Sequence, residues 1–354
     1  MKTNILISTG GSGGHVVPAM ILYDHLLKDT NVIISTDKRG LKYLNKDLYQ
    51  FEIIDTPKLN NFFSLPLNIL IILFLTFKSF FLLREKKIEK IFSTGGYMSL
   101  PVILAARLLK LNIYLLEPNQ VLGRANKFFL KSCKKILCYT DQVINFPENL
   151  KNKIAIVNPL VREKIYKIGA SSSTNDKFIF LIVGGSQGAS IFDTSLKKII
   201  VNISKKIPIK IIQQTNEKNV ASLSNFYSKN NIENKIFSFD KNLVSSIQQT
   251  DVCITRAGAS TLAELSVTNT PFIAVPLPSS KDNHQLENAN FYKDNNCCWI
   301  IEQKYFDEKI EVLLKEILTD KSDYLKKKEN LKKLNYQNTW INVNQKILKI
   351  INEN

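Results

Sequence analysis

The 354-residue chain has only three histidines, His15, His25 and His284, and their scattered positions exclude a histidine-built metal site. Its five cysteines (Cys133, Cys138, Cys253, Cys297 and Cys298) form no C-x-x-C pair. The start, Met1–Ile7, is too short an apolar run for a signal core and leads straight into glycines, so reduced thiols in a cytoplasmic protein are expected. No Asp-x-Asp pair stands at a loop as a metal site, and neither G-x-G-x-x-G nor a Walker loop is present. Acid is also scarce: 31 Asp and Glu face 48 Lys and Arg, for a net charge of +17. That excess suits nucleic acid or an anionic membrane, or reflects drift in a Lys-, Ile- and Asn-rich composition. No RNP, zinc-finger or homeodomain pattern occurs, so the expected partner is the membrane surface and not nucleic acid.

What is present is a long alternation of buried strands and helices. At 44% hydrophobic and 22% charged the chain is globular and large enough for two domains. Apolar, β-branched runs predict strands at Asn4–Ser8, Asn31–Ser35, Phe51–Asp55, Ile88–Phe92, Asn112–Leu116, Lys135–Tyr139 and Ile154–Val157. After a crossing at Asn158–Arg162 and a serine-rich loop, the pattern restarts. Strands are expected at Phe178–Val183, Ile209–Gln213, Lys235–Phe239, Val252–Ile254 and Phe272–Val275, with helices filling the rest. The expected divisions are 1–160, 161–335 and a last segment 336–354, whose helix from Trp340 packs back on the first domain. Such βα alternation implies parallel sheets covered by helices.

Glycine turns follow several of these strands. Gly10-Gly11-Ser12-Gly13-Gly14 lets a backbone lie against a bulky or charged ligand, and His15 stands at the helix start beside it. At the tip of a strand–loop–helix turn His15 is placed for acid–base chemistry; the alternative is a neutral structural histidine. In the second half, Arg256-Ala257-Gly258 turns the chain sharply into a helix. Free N–H groups at that positive helix end suit a diphosphate. Thr261-x-x-Glu264 has the spacing of a capping box. Glu264 therefore either caps its own helix or accepts both hydroxyls of a ribose. Asn119 follows a strand's C-terminal end, where open α/β sheets place ligands.

Phe62–Leu83 is aromatic and apolar, interrupted by Pro66, Asn68 and Lys78. Its continuous apolar core is about thirteen residues against the roughly twenty that a span requires. Flanked by Arg84, Lys86, Lys87 and Lys90, it reads as a helix lying on a membrane surface; the alternative is a helix buried on one side of a sheet.

Seven motifs occur in order: GGSGGHVVPA, STGGYMSLPVILAA, EPNQVLGRANK, NPLVR, VGGSQGA, TRAGASTLAEL and PFIAVPLPSSKDNHQLENA. Together, from Ile5 to about Ala289, they resemble the MurG family of bacterial cell-wall glycosyltransferases. The resemblance implies a GT-B fold, two Rossmann-like parallel-sheet domains facing a central cleft. It implies inverting transfer of GlcNAc from UDP-GlcNAc to the muramyl 4-hydroxyl of lipid I, giving lipid II at the cytoplasmic face of the membrane. No cofactor or metal is implied, so helix ends and arginines would take a cation's place.

Carried over by position, Ser12, Gly13 and Gly14 would lie by donor sugar and acceptor, and Asn119 would bond the GlcNAc. Arg162 and Ser186 would face the nucleotide or its phosphates. Ala259, Ser260, Thr261, Leu262, Ala263 and Glu264 would cradle diphosphate and ribose, and Gln285 would contact the sugar hydroxyls. His15 would be the general base, and the segment 62–83 resembles the family's membrane patch. Three departures stand out: Pro118 before Asn119, His284 where the family has Gln, and Asp240 where an apolar residue usually lies near uracil. A UDP-GlcNAc 2-epimerase shares the two-domain design but needs carboxylates around the sugar. A galactolipid-type transferase would differ in taking UDP-galactose and diacylglycerol. A basic membrane-surface scaffold that has lost its site would need neither the glycine turns nor His15 and Glu264.

Overall fold

The computed structural model describes residues 2–57, 65–167, 176–185, 189–238, 240 and 243–353. The chain divides into two compact units, Met1–Leu160 with Thr339–Asn354, and Val161–Asn338.

The first unit holds β1 (Asn4–Ser8), β2 (Asn31–Thr36), β3 (Phe51–Ile53), β4 (Lys90–Ser93), β5 (Asn112–Glu117), β6 (Lys135–Cys138) and β7 (Ile154–Ile156). All pair in parallel, in the order β3-β2-β1-β4-β5-β6-β7. Side chains alternate across a strand, and helices cover both faces, so the centre of β1, Ile5–Ile7, is apolar on both. Ile5 and Ile7 enter one buried cluster while Leu6 enters the other. The final helix, Trp340–Asn352, completes the first cluster with Val343 and Ile347. Trp340 stacks on His25 at 3.5 Å, and Lys90 Nζ donates to the Ile351 carbonyl at 2.7 Å.

The second unit holds β8 (Phe178–Val183), β9 (Ile209–Gln214), β10 (Glu233–Phe237), β11 (Val252–Thr255), β12 (Phe272–Ala274) and β13 (Cys298–Ile300), again all parallel, in the order β10-β9-β8-β11-β12-β13. Phe180 and Ile182 face one cluster, Ile179 and Leu181 the other. The strand β13 is absent from the sequence expectations, although the apolar run Cys297–Ile301 contains it. The glycine turn after β8 predicts a helix over Ala189–Val201, and the observed one is not regular. A π-turn, Phe192–Leu196, precedes the α-helix Lys197–Ser204.

Each sheet reverses strand order beside its first strand. The chain leaves β1 for β2 and β3, then returns to β4 on β1's other side. It leaves β8 for β9 and β10, then returns to β11. Crossovers diverge at such a point, and the crevice between them at the carboxyl ends of the strands takes the ligand.

The helix Leu65–Glu85 is unbroken through Asn68 and Lys78, longer than the interrupted apolar run suggests. Pro66 lies in its first turn, where proline is tolerated. By length and composition alone, Pro66–Glu85 is long and apolar enough to cross a membrane. One side is buried on the unit's core through Ile72, Leu75 and Leu83. That inward side also carries Asn68, Thr76 and Ser79, the two hydroxyls donating to the carbonyls of Ile72 and Leu75. The outward side carries Leu67, Leu70, Phe74, Phe77 and Phe81, each more than half exposed. Polar inside and apolar outside is the reverse of a helix facing water.

Candidate functional site

In the first unit the switch point is built from the loops after β1 and β4. Thr94 Oγ1 donates to Thr9 Oγ1 across it at 2.8 Å. Gly10 and Gly11, at φ +149° and +77°, turn the first loop into the helix Gly13–Leu26, whose N-cap is Ser12. His15 lies in that helix's first turn, and its Nδ1 is 2.8 Å from the Thr94 carbonyl. A carbonyl only accepts, so Nδ1 carries the proton. In the neutral ring the lone pair is then on Nε2. The ring rests on Gly95 and Gly96, both at positive φ. A Cβ on Gly95 would lie 3.5 Å from His15 Cε1, and one on Gly96 3.5 Å from Cδ2.

Two braces hold this arrangement, and neither is among the residues expected from the sequence. Asp37, just past β2 and fully buried, accepts the N–H groups of Gly11 (2.8 Å) and Gly40 (2.9 Å). Arg39 pairs with Asp37 and also reaches the Tyr97 hydroxyl, joining the two glycine loops. The second brace is Glu117 at the end of β5, 3% exposed. Its carboxylate accepts Asn119 N (3.2 Å), Asn119 Nδ2 (3.0 Å), Gly123 N (2.8 Å) and Asn126 Nδ2 (2.9 Å). Asn119 is thus fixed in orientation despite Pro118. The Asn126 amide borders Gly95: a Cβ there would meet both its end atoms at 3.4 Å. The position of Asp37 at a strand's carboxyl end is the one sequence signal for the first brace.

In the second unit the switch point lies between the loops after β8 and β11. Ser186 falls outside the described residues. Gly185 before it has φ +76° and open space around a notional Cβ, and Gly258 has the same open space. Gly258 is the N-cap of the helix Ala259–Val267, and no side chain caps it. The capping box is therefore not formed. Thr261 is the third helical residue, and the Glu264 side chain turns elsewhere. Leu262 N–H makes the bond back to the Gly258 carbonyl at 3.1 Å, so Ala259, Ser260 and Thr261 carry the N–H groups the helix leaves over. Leu262 and Ala263 bury their side chains in the core and can offer a ligand only backbone.

Glu264, 5% exposed, is gripped by Arg162 through Nε–Oε1 (2.7 Å) and Nη2–Oε2 (2.8 Å). An ionised carboxylate has about four acceptor positions. The two left over can receive the vicinal hydroxyls of a ribose while Arg162 holds the group in place. Gln285 Oε1 accepts the N–H groups of Ala257 (3.2 Å) and Leu277 (3.0 Å), which turns its amide nitrogen outward as a donor. His284 Nδ1 bonds the Lys281 carbonyl at 2.8 Å. Asp240 Oδ2 accepts from Lys235 Nζ (2.9 Å) and Ser246 Oγ (3.3 Å), which ties the carboxylate to its own unit. A cavity of about 600 Å³ beside β13, lined by Trp299, Lys309 and Lys327 among others, shares no lining residue with this cluster.

Two parallel-sheet units with bare glycine turns at their switch points have the architecture of the GT-B glycosyltransferases. Comparison with known proteins agrees. The N-terminal domain of glycosyltransferase family 28 matches residues 5–138, and the C-terminal domain of that family matches residues 179–339. A UDP-N-acetylglucosamine–N-acetylmuramyl-(pentapeptide) pyrophosphoryl-undecaprenol N-acetylglucosamine transferase of Pelagibacter ubique is 48% identical over the full length of both chains. Its counterpart in Rickettsia felis is 35% identical, covering 86% of this chain and 87% of its own. The crystal structure of Acinetobacter baumannii MurG shares the fold, with a TM-score of 0.76 and 23% identity over 99% of this chain and 100% of that one. A UDP-N-acetylglucosamine 2-epimerase also shares the fold, at a TM-score of 0.61, 11% identity, and coverage of 93% and 91%. The chain belongs to glycosyltransferase family 28 and, within it, to the MurG transferases.

Gly95 is held by its φ of +85° rather than by space, since a Cβ there would make ordinary contacts with His15 (3.5 Å) and Asn126 (3.4 Å). Gly95→Ala is expected to cost about 1–2 kcal/mol from its positive φ alone. Relaxation of that strain would move the neighbouring Thr94 carbonyl that holds His15 Nδ1, so turnover is expected to fall. Thermal unfolding and initial rates check this: a fully active variant of unchanged melting temperature would contradict the strain described.

Proposed function

We propose that the chain transfers GlcNAc from UDP-GlcNAc to the muramyl 4-hydroxyl of lipid I, forming lipid II with inversion at the sugar carbon. The observation that carries this is the full-length 48% identity to a transferase named for that reaction, together with a switch-point histidine whose Nε2 is left basic. In this reading Nε2 of His15 takes the proton of the acceptor hydroxyl as its oxygen attacks C1 of the GlcNAc. The C1–O bond to the diphosphate breaks, and the electron pair leaves with UDP. The free N–H groups of Ala259–Thr261 receive the charge developing on UDP. Glu264 holds the ribose, Arg162 and Ser186 face the nucleotide or its phosphates, and Gln285 and Asn119 bond the sugar. Ser12, Gly13 and Gly14 leave room for donor sugar and acceptor. Asp240 contributes to the uracil site through its backbone. The buried carboxylate that an epimerase would use, Glu117, is spent on four hydrogen bonds, which favours transfer.

We place the protein on the cytoplasmic face of the inner membrane as a peripheral enzyme. The helix Leu65–Glu85 would lie in the interface with Leu70, Phe74, Phe77 and Phe81 among the acyl chains. Exposed Lys78, Arg84, Lys86 and Lys87 would meet anionic headgroups. A span is disfavoured by the helix's other side, which is buried on the unit's own core.

Incubation with labelled UDP-GlcNAc and a soluble lipid I analogue, without added metal, tests the reaction. Release of UDP with a labelled disaccharide is expected; conversion of UDP-GlcNAc alone would point to an epimerase. His15→Ala is expected to lower turnover by about 10²–10⁴-fold, and near-normal turnover would remove His15 from the role. The triple change Phe74→Ser, Phe77→Ser, Phe81→Ser is expected to abolish cosedimentation with anionic vesicles while sparing turnover of the soluble acceptor. Unchanged vesicle binding would refute the docking face.

A further inference from the structure

Arg256 belongs to the second unit's switch point, yet none of the roles above uses it. It follows β11 directly and stands two residues before the N-cap of the diphosphate loop. Its backbone N–H donates to the Val183 carbonyl at the end of β8 (3.3 Å), which seats it where the strand order reverses. The residue is 8% exposed. Its Nη1 donates to the carbonyls of Val275 (3.1 Å) and Pro276 (3.4 Å), and its Nη2 to Gln303 Oε1 (2.6 Å). The guanidinium carbon lies 5.5 Å from the centre of the Phe192 ring. Its Nε is buried with no hydrogen-bond partner.

Every one of these partners is neutral. Among the described residues no carboxylate forms an ion pair with Arg256, and the buried acid of the same switch point, Glu264, is held by Arg162. A buried cation without a counter-anion is costly, and a residue such as Met would fill similar space without that cost. Burial lowers the pKa of the guanidinium, but from so high a starting value that it stays charged. Little water reaches it, so its field is weakly screened.

We infer that Arg256 is a fixed, uncompensated positive charge at the start of the turn that leads into Ala259–Thr261, and that its counter-anion is the diphosphate of the donor and of the departing UDP. This rests on the donor reading above. Arg256 is a positioning residue. Its hydrogen bonds hold the ends of β12 and the β13 loop, and its charge acts on the phosphates through the turn. As the C1–O bond breaks, the electron pair passes to the β-phosphate oxygen, and the added negative charge falls within that field.

The test compares UDP with uridine by calorimetry, because a charge acts on the phosphates and a purely structural residue would affect both ligands. Gln303→Glu is the decisive variant. It keeps Arg256 and its hydrogen bond but supplies a carboxylate that neutralises it. UDP is expected to bind about ten- to a hundredfold more weakly to Gln303→Glu, with uridine changed less than about twofold. Arg256→Met is expected to show the same split, and Arg256→Lys to restore part of the UDP affinity; melting temperatures verify that each variant folds. An unchanged ratio of UDP to uridine affinity in Gln303→Glu overturns the inference. Wild-type protein that binds neither ligand overturns the donor reading itself.

Discussion

Both sheets reverse strand order beside their first strand, and the site depends on the gap that this reversal leaves. Parallel strands end with their carbonyls and loops at one edge. Only at the reversal do the crossovers diverge, so only there can a loop approach a ligand without meeting a covering helix. In the first unit the gap is flanked by the loops that carry His15 and Thr94. In the second it is flanked by Gly184-Gly185 and by Arg256-Ala257-Gly258. Glycine at positive φ is required at Gly11, Gly95 and Gly185 because the backbone itself forms the surface.

Charge in these gaps is held in advance. Asp37 is bonded by two backbone N–H groups and Arg39, Glu117 by four neutral donors, and Glu264 by Arg162. Each is fixed in orientation by these bonds, and groups held in place beforehand are how a site gains electrostatic stabilisation at low reorganisation cost. The helix Leu65–Glu85 follows a different logic. One side is buried on its unit's core, while the other leaves Leu67, Leu70, Phe74, Phe77 and Phe81 exposed.

Much of the fold is legible in the sequence, because a doubly covered parallel strand must be apolar on both faces. Asn4–Ser8 and Phe178–Val183 lie where their apolar runs begin and end. The strand expected at Lys235–Phe239 starts two residues earlier, because Glu233 and Asn234 in the edge strand β10 are polar and break the apolar run. The three-residue β13 carries no periodicity at all. The glycine turns are readable as ligand-facing backbone. Their bracing is not: Asp37 meets Gly11 and Arg162 meets Glu264 across 26 and 102 residues, and nothing local announces either pairing. The Thr261–Glu264 spacing misleads for another reason: the helix already starts at Ala259 with Gly258 as its N-cap, so Thr261 lies inside it.

The tautomer of His15 is the most direct test, since the account needs the lone pair on Nε2. Nitrogen NMR of ¹⁵N-histidine-labelled protein, with the His15→Ala variant used to assign its signals among the three histidines, reads it out directly. The expected result for the neutral ring is a protonated, hydrogen-bonded Nδ1 and an unprotonated Nε2. A proton on Nε2 with Nδ1 bare would break the bond to the Thr94 carbonyl and contradict the assignment of His15 as the base.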